Sequence, residues 1–388
     1  MEGYRSKYLR DGSGGSGRNK APPSGTFSRI NPDTKFLEGE EVEGVHLVND
    51  YDLVRELQVR LGKFIPNGKD DFFSAMWPVS LSTDNVHLLA SEPYVVAPKP
   101  TGSRFFLYVD PSGDIFLENM TQHIFRVDED HAIKMESFDG RPIVDTVLDG
   151  IIPREKSNGA DASCEGTSED GTTRKLTFVI CDAIRCNGKD LTNSSILQRI
   201  AYVRGEIMKP RMFAMKNRVR SDEKEAFDLD IVEYHEAYQT ENYLSREFVE
   251  RYKYPYRSFV FYPRKKLYRS FTNEDSVQWQ EGDVQECSFR LKIPKGVKEP
   301  KTAQLYVGGP HRQEIFYAQI TLTDETRKLD GCIIDCRYFD HQWIFMKQRL
   351  DRNHPNGKRA VLGKLDALDK AVSRDLLLTN LEQSKGLN

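Results

Sequence analysis

The 388-residue sequence has no Cys-x-x-Cys pair, no His-x-x-x-His pair and no apolar run long enough to cross a bilayer, and each absence removes a class of function. The six cysteines, Cys164, Cys181, Cys186, Cys287, Cys332 and Cys336, are scattered, which argues against a zinc knuckle or a disulfide framework. The eight histidines offer no ligand pair, so no metal site is expected from them. A membrane span needs about 18 or more consecutive apolar residues, so no membrane partner is expected. Charge of one sign is also missing: Lys+Arg 56 against Asp+Glu 59 leaves a net charge of -3, so any nucleic-acid contact must be a local patch. The amino terminus lacks a charged-then-apolar leader, which predicts a reducing compartment, nuclear or cytoplasmic, with the nucleus favoured. The cluster Gly12-Ser13-Gly14-Gly15-Ser16-Gly17 follows no strand and has no Gly-Lys-Ser/Thr ending, so it is not a phosphate loop.

What is present is a folding composition, 38% hydrophobic and 30% charged, rather than a disordered one. The length predicts two or three domains at roughly 150 residues each. Residues 1–28 read as a flexible tail, and Arg154 to Arg174, rich in Gly, Ser, Asp and Glu, as an exposed loop. Asn49 or Asp50 caps an amphipathic helix ending near Leu61. Short β-rich runs follow at Tyr94 to Ala97, Arg104 to Val109, Asp114 to Leu117, Ile143 to Leu148 and Leu176 to Ile180. Helical spacing returns over Leu197 to Val219 and over Lys364 to Leu377. Strands and helices without strict βαβ alternation predict an α+β protein.

Between two of those strands lies Lys99-Pro100-Thr101-Gly102-Ser103-Arg104. A lysine so placed can attack a nucleotide α-phosphate, with Gly102 allowing close backbone approach and Arg104 binding phosphate or ribose. The same residues also suit a solvated turn. Further segments recur in a fixed order: Pro78-Val79-Ser80-Leu81, Asp145 to Gly150, Phe178 to Ile184 with Asn187-Gly188, Trp279 ten residues before Phe289 to Ile293, and Trp343 to Arg352 with Pro355-Asn356. Together with the Lys99 segment they resemble the ordered motifs of the covalent nucleotidyltransferases, and specifically of the mRNA capping guanylyltransferases.

The resemblance implies a nucleotidyltransferase domain of antiparallel sheets and helices over 29–280 and an OB-fold domain over 281–343. It implies a helical segment, 344–388, returning to the first domain. It implies GMP transfer from GTP to the RNA 5′ end through Lys99, with Mg or Mn as the metal if the chain is active. Gly102, Arg104, Arg349, Asp351 and Arg352 are then nucleotide-binding, the last three toward the β- and γ-phosphates, although a basic exposed strand end would read the same. An RNA triphosphatase or the transcription machinery is expected on a separate chain.

The departures from the family pattern are specific. Thr101 replaces an aspartate, Ile151 a glutamate and Cys181 the aromatic that stacks on guanine; Arg257 stands where an acid is usual, and Gln278 and Gln280 stand where two lysines are usual. Losing two cations predicts a Lys99 closer to an ordinary protonated lysine, and losing acids removes ligands for a hard metal ion. Covalent transfer is therefore expected to be impaired or lost, leaving an RNA- or protein-binding scaffold as the alternative. A third reading has Lys265 or Lys266 replacing the missing lysines. The stretch from Arg251 to Arg269 interleaves rings and cations, so Tyr262, Arg264, Lys265 and Lys266 are candidate RNA contacts. Strand alternation with rings inward and cations outward produces the same pattern.

Overall fold

In strand Gly102–Val109, Phe105, Leu107 and Val109 point into one hydrophobic core while Phe106 and Tyr108 point into another. A strand apolar on both faces must be covered on both. The computed structural model describes residues 30–37, 41–153, 176–217, 224–281, 285–296, 298–310 and 313–387. The expected tail 1–28 and the Arg154 to Arg174 loop lie outside them.

That strand is central in a sheet ordered Val45–Leu47, Ile124–Val127, Ile115–Asn119, Gly102–Val109, Thr146–Pro153, Thr177–Cys186, Asp228–Ile231, with Lys189–Asp190 added on Thr177–Cys186. All its pairs are antiparallel except the last of the series, Thr177–Cys186 with Asp228–Ile231. A second sheet runs His235–Glu236, Tyr94–Pro100, Tyr256–Pro263, Phe271–Trp279, Met76–Ser80. Val95, Ala97, Val260 and Tyr262 of this sheet meet Phe106, Tyr108, Val147 and Val179 of the first in a shared core. On its far face Val96, Phe261, Val277 and Trp279 pack with Leu377 and Leu381.

Helix Tyr51–Phe64 begins where the Asp50 carboxylate accepts from the backbone N–H groups of Asp52 and Leu53, and it buries Val54, Leu57 and Leu61. The helical spacing from Leu197 is realised as Ile196–Val203, a π-turn over Arg204–Met208, and Lys209–Lys216.

The third sheet is antiparallel throughout, ordered Glu314–Thr321, Thr302–Gly308, Gln285–Lys292, Ile333–Phe339, Gln342–Gln348. Its third and fifth strands in chain order lie at the open edges and approach each other, the strand order of an OB barrel. The fold is thus α+β, two facing sheets with helices followed by an OB-fold module.

Two sequence expectations need correction here. The chain does not turn helical at 344, because Trp343 is buried in the barrel core and holds strand Gln342–Gln348 in the sheet. The single helix expected over Lys364 to Leu377 is two, Lys358–Asp369 and Arg374–Gln383. The first seats Val361 on the barrel core and the second seats Leu377 on the first domain. Ser373 caps the second by accepting from the Leu376 N–H.

Candidate active site

Strand alternation places Lys99 on the face that carries Val95 and Ala97, which is the face turned toward the first sheet. Its register partner is Ser258, and Val260 is in turn opposite Gln278. Lys99 Nζ donates to Gln278 Oε1 at 2.9 Å, and Gln278 Nε2 donates to Ser258 Oγ at 3.0 Å. Gln278 therefore meets the lysine in space, as the sequence order implied, with its amide oriented by Ser258.

Across the gap, Arg104 forks onto Asp149, Nε to Oδ1 at 2.8 Å and Nη2 to Oδ2 at 2.6 Å, and also donates to the Met76 carbonyl at 3.1 Å. Its guanidinium lies 4.5 Å from the centre of the Trp77 ring. Tyr268 donates to Asp149 Oδ2 at 2.9 Å, completing a buried network. Gly102 is fixed by packing, since a Cβ there would collide with the Ile152 carbonyl of the neighbouring strand. Ile151, the register partner of Arg104, is buried.

Burial pushes the Lys99 ammonium down to about 8, and the positive charges of Arg104 and Lys364 push in the same direction against Cys181 and Asp149. The value lies below that of an ordinary lysine, although the ammonium still predominates at neutral pH. Desolvation disfavours the charged form even without the two usual lysines, and the neighbouring cations are not those the sequence suggested. Burial also raises the Cys181 thiol to about 12, so it stays neutral. Beside it, Asp182 accepts a two-pronged bond from Arg199, at 2.6 Å and 2.7 Å, and both side chains are buried.

The OB module meets this site along Leu350 to Arg352. Arg349 forks onto Asp351 at 2.8 Å and 2.6 Å and reaches Asp335 at 3.0 Å, while Arg352 donates to Ser288 Oγ at 3.0 Å. Burial raises the Asp335 carboxyl, but Arg349 and Ser288 outweigh it and hold the group below its ordinary range. The structure brings Arg104, Asp351 and Arg352 together around a cavity of about 10 Å³, room for no more than about one water. Arg257 pairs with Glu286 across the same domain boundary.

The basic-aromatic stretch does not form one face. Tyr262 is only 7% exposed, with its ring centre 6.0 Å from that of Tyr234 in the inter-sheet core, so a base has no ring to stack on there. Lys266 is bound to both oxygens of Asp275 at 2.6 Å and 2.7 Å, and Arg264 lies 3.2 Å from Glu236. Lys265 alone of the four is exposed without such a partner among the described residues. For Tyr262 and Lys266 the RNA assignment is corrected, because strand alternation turned the ring inward and a carboxylate took the cation.

The positions where the resemblance expects metal-binding acids hold a buried Ile151 and an Arg257 already paired with Glu286. Asp149 is committed to Arg104 and Tyr268. These residues do not fit a protein-held divalent ion, and among the described residues no group of three or more acidic, His or Cys side chains is placed to hold one. Sequence reading missed Tyr268 and Ser258 as site residues: both lie within the Arg251 to Arg269 stretch, and only tertiary packing brings their hydroxyls to Asp149 and Gln278.

A lysine-bearing sheet facing an arginine–aspartate sheet, with an OB module packed against them, has the architecture of the nucleotidyltransferase fold. The chain belongs to the mRNA capping enzyme family. The family model described as the mRNA capping enzyme catalytic domain matches residues 37–282, and that of the mRNA capping enzyme C-terminal domain matches residues 261–378. Similar curated proteins include the mRNA-capping enzymes of Danio rerio (24% identical, 90% of this chain, 56% of that protein) and Mus musculus (25% identical, 90% and 56%). Another is the mRNA-capping enzyme subunit alpha of Yarrowia lipolytica (23% identical, 87% of this chain, 88% of that protein). The chain spans 56% of the length of the fish and mouse proteins.

Proposed function

We propose that this chain is an mRNA guanylyltransferase that works through a lysine–GMP intermediate at an attenuated rate, in the nucleus. The observation that carries the reading is Lys99, inward-facing between the two sheets, lowered toward neutrality and held by Gln278. A neutral Lys99 amine attacks the α-phosphorus of GTP. The N–P bond forms as the α–β P–O bond breaks, pyrophosphate leaves with the bonding electrons, and the amine proton passes to solvent. The terminal oxygen of an RNA 5′ diphosphate end then forms a P–O bond to the GMP phosphorus as the N–P bond breaks, and the departing Lys99 nitrogen regains a proton. The diphosphate would come from an RNA triphosphatase activity.

Attenuation follows from what surrounds the lysine. Gln278 is a neutral neighbour where the family has a cation, and a lost preorganised donor to developing phosphate charge costs about 2.7–4 kcal/mol. Cys181 provides no ring for guanine. Mg²⁺ or Mn²⁺ arrives on the triphosphate as part of the substrate.

The test is incubation with α-labelled GTP and Mg²⁺ or Mn²⁺ followed by denaturing electrophoresis. Weak label that Lys99→Ala abolishes supports the reading. A wild-type chain that takes no label under any metal overturns it in favour of a scaffold for RNA or protein. That second reading draws on Arg104, Asp149, Arg349 and Asp351 already being paired with one another.

A further inference from the structure

Phe271, the first residue of strand Phe271–Trp279, has a φ of +66°. A glycine adopts that conformation freely, whereas a bulky side chain is strained in it. The strain is not explained by packing, because Phe271 is only half-buried and belongs to none of the hydrophobic cores among the described residues. Its ring meets that of Phe72 edge to face, with centres 6.1 Å apart, and Phe72 is 45% exposed. Lys69 Nζ lies 5.5 Å from the centre of the Phe72 ring and 5.6 Å from that of Phe271. The adjacent Asp70 is bound by Arg55 at 2.6 Å, and Lys69 makes no ion pair among the described residues. This patch adjoins the candidate active site through the backbone. Phe271 is the register partner of Met76, whose carbonyl accepts from Arg104, and Thr272 is that of Trp77, on whose ring the Arg104 guanidinium lies.

We propose that Phe72, Phe271 and Lys69 form a stacking platform for a base of single-stranded RNA whose 5′ end is presented to the Lys99 site. The proposal rests on the reading of the chain as one that acts on RNA, and adds the surface that holds that RNA. Every base has a π-face, so stacking on an aromatic ring is tolerant of sequence, and a cation beside the ring meets the adjoining phosphate. Tyr262 is enclosed by the core, whereas Phe72 leaves ring surface within reach of a ligand. Exposed rings alone would also suit a protein partner. Two observations favour RNA: the ammonium over both rings is not taken by a carboxylate, and the patch continues into the strand pair that carries the Arg104 contacts. A strained backbone that keeps a ring at the surface is also the kind of feature that clusters at ligand-binding positions.

The test is fluorescence anisotropy of a short single-stranded oligoadenylate bearing a 5′ diphosphate, titrated with the full chain, alongside thermal melts. Phe271→Gly removes the ring and the strain together, so it should melt no lower than wild type while binding RNA at least about fivefold more weakly. A ring with a purely structural role would do the reverse, lowering stability and sparing affinity. Phe72→Leu, apolar but without a ring, should weaken binding to a similar degree. Lys69→Met should make the slope of log affinity against log salt shallower by about 0.7, as one lost phosphate contact requires. If Phe271→Gly does not fold, Phe72→Leu decides the matter. Wild-type affinity in the folded ring variants overturns the proposal, and so does a wild type with no RNA affinity at low salt, which would leave the patch to a protein partner. Label from GTP is scored separately. Ring-dependent RNA binding by a chain that takes no label sinks the enzymatic reading alone, and label with ring-independent binding sinks this proposal alone.

Discussion

Lys99 Nζ and Gln278 Oε1 are 2.9 Å apart, a neutral acceptor on a lysine that its surroundings push toward neutrality. The amide oxygen can accept from either the ammonium or the amine, so it holds the side chain in place through loss of the proton. A lysine at that position would repel, and a carboxylate would lock the charge on.

Lys99→Met should stabilise the fold at neutral pH. A lysine lowered to about 8 in the folded protein costs stability while it is protonated. The deficit is full below about 8 and vanishes as pH rises past the unfolded value near ~10.4. Thermal melts should show the variant ahead by up to about 3 kcal/mol near neutrality, with the gap closing in alkaline buffer. A gap constant with pH would show that Lys99 is not depressed.

Arg199→Met should be severely destabilising. Arg199 is 0% exposed and satisfies Asp182 as well as the carbonyls of Ser194 and Lys266. Breaking a buried pair from one side costs about 3–5 kcal/mol. Urea unfolding is the measurement, and Asp182→Asn combined with Arg199→Met should recover part of the loss by removing the orphaned charge.

Tyr262→Ala should lower stability by about 3–5 kcal/mol, the cost of emptying an aromatic site in a packed core. Tyr262→Leu, which keeps an apolar side chain and removes the ring, should leave the RNA affinity of the folded protein unchanged in a filter-binding assay. Weaker RNA binding by a folded leucine variant would return the ring to the stacking role that its sequence pattern suggested.

Gly102→Ala should disrupt pairing of strands Gly102–Val109 and Thr146–Pro153, because the added methyl meets the Ile152 carbonyl. Hydrogen exchange should show lost protection at Ser103 and Arg104 in particular. Unchanged protection there would place the glycine's importance with a ligand instead.

Much of the first domain was legible in the sequence because its strands alternate. Tyr94 to Ala97 and Arg104 to Val109 were read within two or three residues of their observed ends, and Lys99 with them. The Asp50 cap is a local hydrogen-bond signal and was equally visible. Alternation does not reveal which face becomes the core, and so Tyr262 stood as a candidate RNA contact beside the alternative with its ring turned inward. The helix over Lys364 to Leu377 was misread as one because the two pieces share a helical spacing while docking on different domains.

Trp279 Nε1 donates to the Val372 carbonyl at 2.8 Å, so the strand leaving the first domain and the helix returning to it are pinned at one place. The barrel between them is a loop of chain whose exit and re-admission share a root. Separation of the two domains must then pivot near that root, with Arg257–Glu286 and the Leu350 to Arg352 contacts as the parts free to part. A tether of this kind keeps the local concentration of the barrel around the first domain high even when those contacts part. Reclosing is therefore an intramolecular event whose rate does not depend on protein concentration, and dilution alone should leave the first chemical step unaffected.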